Sequence, residues 1–307
     1  IFNMTYRTFV RCALPLIALC LMGQGCLGGT KTATGPDGGV FKTATRAESW
    51  TQKSAFVSGA KVSAEAAKIT VNSMAFDPQD EKVIYLATAE HGLVYSFDAG
   101  DSWRKSDTLK LTRVQTVAVD PKNKCVVYAT AANKVYKTDN CMRDWKDVFF
   151  DPRTEKVFTQ LTVDWFNPTV LYAGTSEGDV FKSMDAGRSW RVIKRVEGAI
   201  ITSLVLDPRD SRILYAGTNG SGIFKTLDGG ATWLQIKKQL GEEFRDARRV
   251  TQVVVDPQIA NLIYMVSKYG IIKSPDQGET WQALSLPVAP GAAEVTYLAI
   301  DRKDNKK

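Results

Sequence analysis

The chain is 307 residues long, 44% apolar and 24% charged, with 11 prolines, five cysteines and a net charge of +7. With no low-complexity tract, this is the composition of a globular protein with ample core. The basic excess is mild and no dense Lys/Arg run with interleaved aromatics accompanies it, which excludes a nucleic-acid footprint.

At the N-terminus Met4 is followed by Arg7 and Arg11 and then by an apolar run of 11 residues, Cys12 to Met22. The run is too short to span a bilayer and has the length of a signal-peptide core. GQGC follows, so residues 1–25 look like a bacterial lipoprotein signal, with Cys26 as the lipidated first residue of the mature chain. Gly23 departs from that pattern, where a leucine-like residue is usual; cleavage without lipid and an uncleaved anchor are the alternatives. Residues 26–38 read as a Gly/Thr-rich flexible tether and residues 39–307 as the folded domain. The expectation is an exported protein held through Cys26 at the outer face of a bacterial membrane.

Beyond the tether the chain repeats. An Asp followed eight residues later by Tyr recurs as Asp77/Tyr85, Asp120/Tyr128, Asp164/Tyr172, Asp207/Tyr215 and Asp256/Tyr264. Pro follows each Asp except the third, where Trp165 stands. Each Asp-Pro closes one strand and each Tyr opens the next. Five four-stranded units are expected, over residues 69–107, 112–150, 157–197, 199–238 and 249–285. A further unit is split between the chain ends: Gly39–Lys53 supplies its third and fourth strands and Ala292–Asp301 its first, while its second has no evident source. In the first strands, the positions one and three before the landmark Asp are apolar in every copy, Val117, Val119, Leu204 and Leu206 among them. That side is expected to fill the contacts between units. The position five before the Asp is polar throughout: Asn72, Gln115, Thr159, Thr202, Thr251 and Thr296. By the two-residue period of a strand it shares the same side, which predicts a polar channel mouth, either a wet lining or a ring of ligand contacts.

Between the third and fourth strands lies a second landmark. SFDAGDSW, KSMDAGRSW, KTLDGGATW and KSPDQGETW all fit Ser/Thr-x-Asp-x-Gly-x-Ser/Thr-Trp, with box residues Asp98, Gly100, Trp103, Asp185, Gly187, Trp190, Asp228, Gly230, Trp233, Asp276, Gly278 and Trp281. Two copies are worn. KTATRAESW has Thr45 for the Asp and Ala47 for the Gly; KTDNCMRDW is read with Asp139 as the box acid, Cys141 at the Gly position and Trp145 closing it. Asp and Ser/Thr side chains hold a tight turn by bonding to its N–H groups, Gly takes a positive φ, and Trp starts the next strand as an apolar plug. These residues resemble the Asp-box (bacterial neuraminidase repeat) family. The resemblance implies an all-β propeller of four-stranded blades: six are visible, five complete and one split, with seven possible if the chain continues. The plain blades and lipoprotein start look similar to photosystem II assembly-factor propellers, and more distantly to sortilin- and sialidase-type propellers, over residues 39–301. In that family the box is a fold element remote from the ligand face, so it identifies architecture and not chemistry.

Chemistry has few candidates. Cys12 and Cys20 lie in the signal core, which leaves Cys125 and Cys141 in the domain, and an exported protein is expected to pair them as a disulfide. Two thiols lack the further ligands zinc needs, and the single histidine, His91, falls on the opposite rim without an ordered Ser or Cys partner, so neither a metal site nor a triad is expected. No cofactor is implied. For a sialidase the Arg-Ile-Pro segment is absent and no residue set carries over. A glycoside hydrolase using the rim carboxylates Glu90, Glu155, Glu177, Asp179 and Glu197 is the alternative reading. The favoured one is a monomeric binding or assembly scaffold for a protein or acidic polymer. Its partner is expected on the rim opposite the boxes, where the loops differ from blade to blade (AEHG, AANK, SEGD, NGSG, SKYG) and where Glu90, His91, Lys194, Arg195, Arg245, Arg248, Arg249 and Tyr269 fall.

Overall fold

The computed structural model describes residues 18–21, 38–45, 48–237, 239–240, 242–287, 289–291 and 295–300. Most of the expected signal and tether, Cys26 included, lies outside them. The chain forms a β-propeller of antiparallel four-stranded blades. Blade 1 is β6 (Val71–Asp77), β7 (Asp80–Thr88), β8 (Leu93–Ser96) and β9 (Arg104–Lys105), preceded by five strands outside the blade. Blade 2 is β10 (Thr116–Val119), β11 (Val127–Ala131), β12 (Lys134–Thr138) and β13 (Lys146–Phe150); blade 3 is β14 (Phe158–Val163), β15 (Leu171–Thr175), β16 (Asp179–Ser183) and β17 (Arg191–Arg195). Blade 4 is β18 (Ile201–Asp207), β19 (Asp210–Thr218), β20 (Gly222–Thr226) and β21 (Leu234–Ile236); blade 5 is β22 (Val250–Val255), β23 (Ile263–Ser267), β24 (Gly270–Ser274) and β25 (Gln282–Ala283). All five lie within the expected units. No helix among the described residues is long and apolar enough to cross a membrane.

The further unit is a three-stranded sheet of β1 (Ala18–Leu21), β2 (Val40–Thr43) and β3 (Thr51–Gln52). β1 comes from the expected signal core and pairs with β2, Leu21 opposite Val40, in the position of a blade's second strand. The C-terminal segment 295–300 lies beside β22, where the Leu298 N–H donates to Gln252 Oε1 at 2.7 Å, and forms no strand. Burial reflects this. Tyr85, Tyr128, Tyr172 and Tyr215 are buried under the next blade, whereas Tyr264 is only half-buried; on blade 1 Phe76 is 43% exposed, while its counterparts Val119, Val163, Leu206 and Val255 are buried.

Each landmark Asp is an Asx turn. Asp77 accepts the N–H of Gln79, Asp120 that of Lys122, Asp164 that of Phe166, Asp207 that of Arg209 and Asp256 that of Gln258, all at 2.7–2.8 Å. The four intact boxes repeat one clasp. In blade 3 Ser183 Oγ donates to Asp185 Oδ1 (2.9 Å) and accepts the Gly187 N–H (2.9 Å), while Asp185 takes the Ser189 N–H (2.9 Å) and hydroxyl (2.6 Å). Gly230 holds φ +95° and a Cβ there would sit 2.4 Å from Ile193 of the preceding blade, so the turn needs Gly on both counts. Trp103 and Trp281 are buried; Trp190 and Trp233 are partly buried. Trp103 owes its burial to β4 (Phe56–Ser58), which with β5 (Lys61–Ser63) forms a hairpin on the outer edge of blade 1. There the Val57 N–H donates to the Trp103 carbonyl at 2.8 Å.

Two sequence expectations need correction. In the second box Asn140, not Asp139, takes the place of the acid: it accepts from Thr138 Oγ1 (3.0 Å) and the Asp144 N–H (3.2 Å). Asp139 is exposed, and the Gly position belongs to Met142 (φ 63°) with Cys141 one residue earlier (φ 58°). Cys141 and Cys125 are joined by a disulfide, Cα atoms 3.9 Å apart, at the point where blade 5 uses a Gln277–Asn261 hydrogen bond. At the polar position five before the Asp the strand alternation fails. A β-bulge falls on Asn72, Thr159, Thr202 and Thr251, breaking the alternation and turning the side chain along the ring. Asn72 thus donates to the Val114 carbonyl, Thr159 to that of Ile201 and Thr202 to that of Val250, each in the next blade at 2.6–2.7 Å.

Candidate partner-binding rim

First strands end at the Asp-Pro turns and third strands end at the boxes, so both share one rim. The opposite rim carries the loops between second and third strands and the crossings from blade to blade. On the box rim the box acids are consumed by their own turns. The Ser189 hydroxyl and N–H hold the Asp185 carboxyl down to about 2. For Asp276 burial pushes upward but the Thr280 bonds outweigh it and bring it to about 2. The four intact box acids have no carboxylate to spare.

The crossing rim is different. Between blades 4 and 5 the segment 239–249 is pinned by the buried side chains of Leu240, Phe244 and Ala247, while Arg245, Arg248 and Arg249 stay exposed. The Arg248 carbonyl accepts the N–H groups of Gly220 and Gly222 at 3.0 Å, and the Arg249 carbonyl that of Lys268 at 3.1 Å, which ties the segment to the loops of both blades. Phe244 packs edge-on against Tyr269, ring centroids 5.2 Å apart. Beside Tyr269 lies an open cleft of about 380 Å³ lined by Gly270, Leu284, Leu286, Pro287 and Pro290. Arginines, a tyrosine and an apolar cleft thus meet on one side of this rim.

In a second charged group on the rim the sequence reading placed Asp179 and Arg195 but missed Arg153 and Lys156. Asp179, at the start of β16, is wholly buried and accepts from Lys156 Nζ (2.5 Å) and Arg195 Nε (2.6 Å), with Arg153 Nη2 at 3.2 Å. Arg153 also pairs with the buried Asp151. Burial alone raises the Asp179 carboxyl, but Arg195 and Lys156 outweigh it and hold it below the usual carboxylate range. A carboxylate so paired is no general acid. Of the other rim candidates, Glu90, Glu155, Glu177 and Glu197 are exposed. His91 is half-buried rather than a free loop residue, its ring 6.3 Å from Phe56. Lys194 turns away from the rim and lies 4.9 Å over the Phe224 ring. Arg195 is bound to Asp179 yet half exposed. The structure therefore brings together Arg245, Arg248, Arg249 and Tyr269, and separately Arg195 with Arg153.

The sequence family of photosynthesis system II assembly factor YCF48 matches residues 29–205, more than half of the chain. The chain belongs to this family. Among solved structures it is similar to YCF48 bound to a D1 peptide, at 18% identity and a TM-score of 0.56, covering 73% of this chain and 69% of that one. It is similar also to YCF48 from Cyanidioschyzon merolae, at 13% identity and a TM-score of 0.51, covering 70% of each. An ancestral GH74 enzyme aligns at 20% identity and a TM-score of 0.59, over 69% of this chain but only 30% of that one. At these identities the likeness shows the propeller fold alone. No curated protein matches the chain. The Asp179 group falls inside the family match and the Arg245–Arg249 segment beyond it.

Proposed function

We propose that the chain is an exported binding or assembly propeller, tethered to a membrane through Cys26 once residues 1–25, β1 with them, are removed, that holds a protein partner on its crossing rim. The observation that carries this is the 239–249 segment: buried Leu240, Phe244 and Ala247 fix a backbone that presents three exposed arginines beside Tyr269 and an apolar cleft. Arginine and tyrosine over a desolvated apolar patch are the residue types that anchor protein interfaces. Membership of an assembly-factor family, and the D1 peptide bound by a solved YCF48, support a protein partner over a polysaccharide. The test is pull-down from membranes with the parent and with Arg245, Arg248 and Arg249 changed to Glu, with a D1 peptide as first defined probe. Loss of the specific partner in the triple variant, with unchanged folding, is expected. Equal recovery by both, or release by substitutions of Arg188 and Ala231 on the box rim, contradicts the assignment.

A further inference from the structure

The tether meets the propeller at the crossing rim. The Gly39 N–H donates to the Ile69 carbonyl at 2.9 Å, just before β6 begins, and β6 then runs from that rim to the Asp-Pro turn of Asp77. From this root, backbone hydrogen bonds lead across blade 1: Ala89 N–H to Thr70, Val114 N–H to Thr88 and Gly92 N–H to Thr112, all within 3.0 Å. The crossing from blade 1 to blade 2 is therefore fastened to the tether root. It forms an open cleft of about 280 Å³ lined by Lys105, Ser106, Asp107, Leu109, Lys110, Leu111 and Thr112. Lys61, Lys68, Arg104, Lys105, Lys110 and Arg113 are exposed on this stretch and its neighbouring hairpin, and among the described residues no ion pair is formed by any of them. Glu65, Glu90 and Asp107 are the acids interspersed with them, half as many.

We infer that this side of the rim docks onto the headgroups of an anionic bilayer, so that the anchor and the rim together orient the propeller with its boxes away from the membrane. The inference rests on the lipid-anchor reading of Cys26 for its geometry. The seven residues of β6 span about 23 Å between the two rims. An anchor upstream of Gly39 therefore joins the propeller at this rim, with the box rim one strand length beyond it. Screening limits the attraction to about 8–10 Å, which selects the cations at the tether root over those across the ring. Tethering raises the local concentration of the face at the surface to the millimolar range, so weak headgroup contacts suffice to hold an orientation.

The experiment separates the anchor from the face. Mass analysis of the N-terminal peptide of the exported protein reads lipidation of Cys26 by itself. Co-sedimentation then uses the full chain with Cys26→Ser, on phosphatidylcholine vesicles with and without phosphatidylglycerol. The apolar N-terminal run and Arg7 and Arg11 are common to every variant, so only the change in anionic preference counts. Each surface cation strengthens such binding about fivefold, and the combined variant Lys68→Glu, Lys105→Glu, Lys110→Glu, Arg113→Glu is expected to lose at least about tenfold of the preference, as is the parent in high salt. Changing Arg245, Arg248 and Arg249 to Glu is expected to leave most of it. The inference is overturned if the parent shows no anionic preference, if the quadruple variant keeps it while melting like the parent, or if the distant triple variant loses as much. Competition by glycerol phosphate in solution also overturns it, because the cleft is then a soluble-phosphate site and not a bilayer contact.

Discussion

Trp103 and Trp233 occupy the same position of the same motif in different surroundings, and replacing each by Ala measures what the surroundings contribute. Trp103 is wholly buried, donates from Nε1 to the Lys53 carbonyl at 3.1 Å, and is hydrogen-bonded through its backbone to the β4 hairpin. Trp233 is only partly buried against the core between blades 3 and 4. Full truncation of a buried aromatic costs about 3–5 kcal/mol, and loss of the indole donor leaves the Lys53 carbonyl without that partner. Half of the roughly 150–250 Å² a tryptophan can bury, at about 25 cal/mol per Å², gives about 2–3 kcal/mol for Trp233. Urea denaturation of both variants and the parent, with a shared slope, reads the difference as a shift in midpoint. Trp103→Ala is expected to be the more destabilised by at least about 1 kcal/mol. Equal losses refute the claim that the hairpin completes blade 1, and a Trp103 variant that melts like the parent refutes its place in the core.

Reduction of Cys125–Cys141, or Cys141→Ser, is expected to cost about 3 kcal/mol through the loop it closes, read as a drop in urea midpoint with and without reductant; an unchanged midpoint counts against the bond. Acid stability follows the boxes. Their carboxyls titrate lower folded than unfolded, so their contribution is present above about pH 4 and is lost as pH falls toward 2; Asp185→Asn is expected to flatten that part of the profile, and an identical acid limb contradicts it. Asp179→Asn leaves the buried Lys156 without its carboxylate and is expected to destabilise by about 3–5 kcal/mol, whereas Asp139→Asn in the second box is expected to change nothing measurable.

The propeller was legible because its signals are local. Each box closes within eight residues and each Asp-Pro turn within three, so the side chain that makes the turn and the N–H that it binds are neighbours in the sequence. The errors have separate causes. In the second box the acid was taken one residue early: the five-residue step from acid to Trp kept by Asp98/Trp103, Asp185/Trp190, Asp228/Trp233 and Asp276/Trp281 points to Asn140, which does by amide what its counterparts do by carboxylate. Asn72, Thr159 and Thr202 were misplaced because a bulge, invisible to a period-two count, turns them toward the next blade. Arg153 and Lys156 were passed over as solvated charges of a crossing; their partner Asp179 is an acid at the head of an apolar strand, followed by Val180 and Phe181, and that was the one available sign of a buried pair. The arginines at 245, 248 and 249 were placed on the correct rim by topology alone, but their gathering around Tyr269 depends on Phe244 folding inward, a long-range contact.

The central claim is that the partner sits on the crossing rim, and photo-crosslinking in intact membranes tests it most directly. A photoreactive residue placed at Arg245 or Tyr269 is compared with one at Arg188 or Ala231 on the box rim, each in an otherwise parental chain. The account predicts one discrete protein adduct, shared by positions 245 and 269 and absent from 188 and 231. An adduct formed from the box rim, with none from the crossing rim, contradicts it.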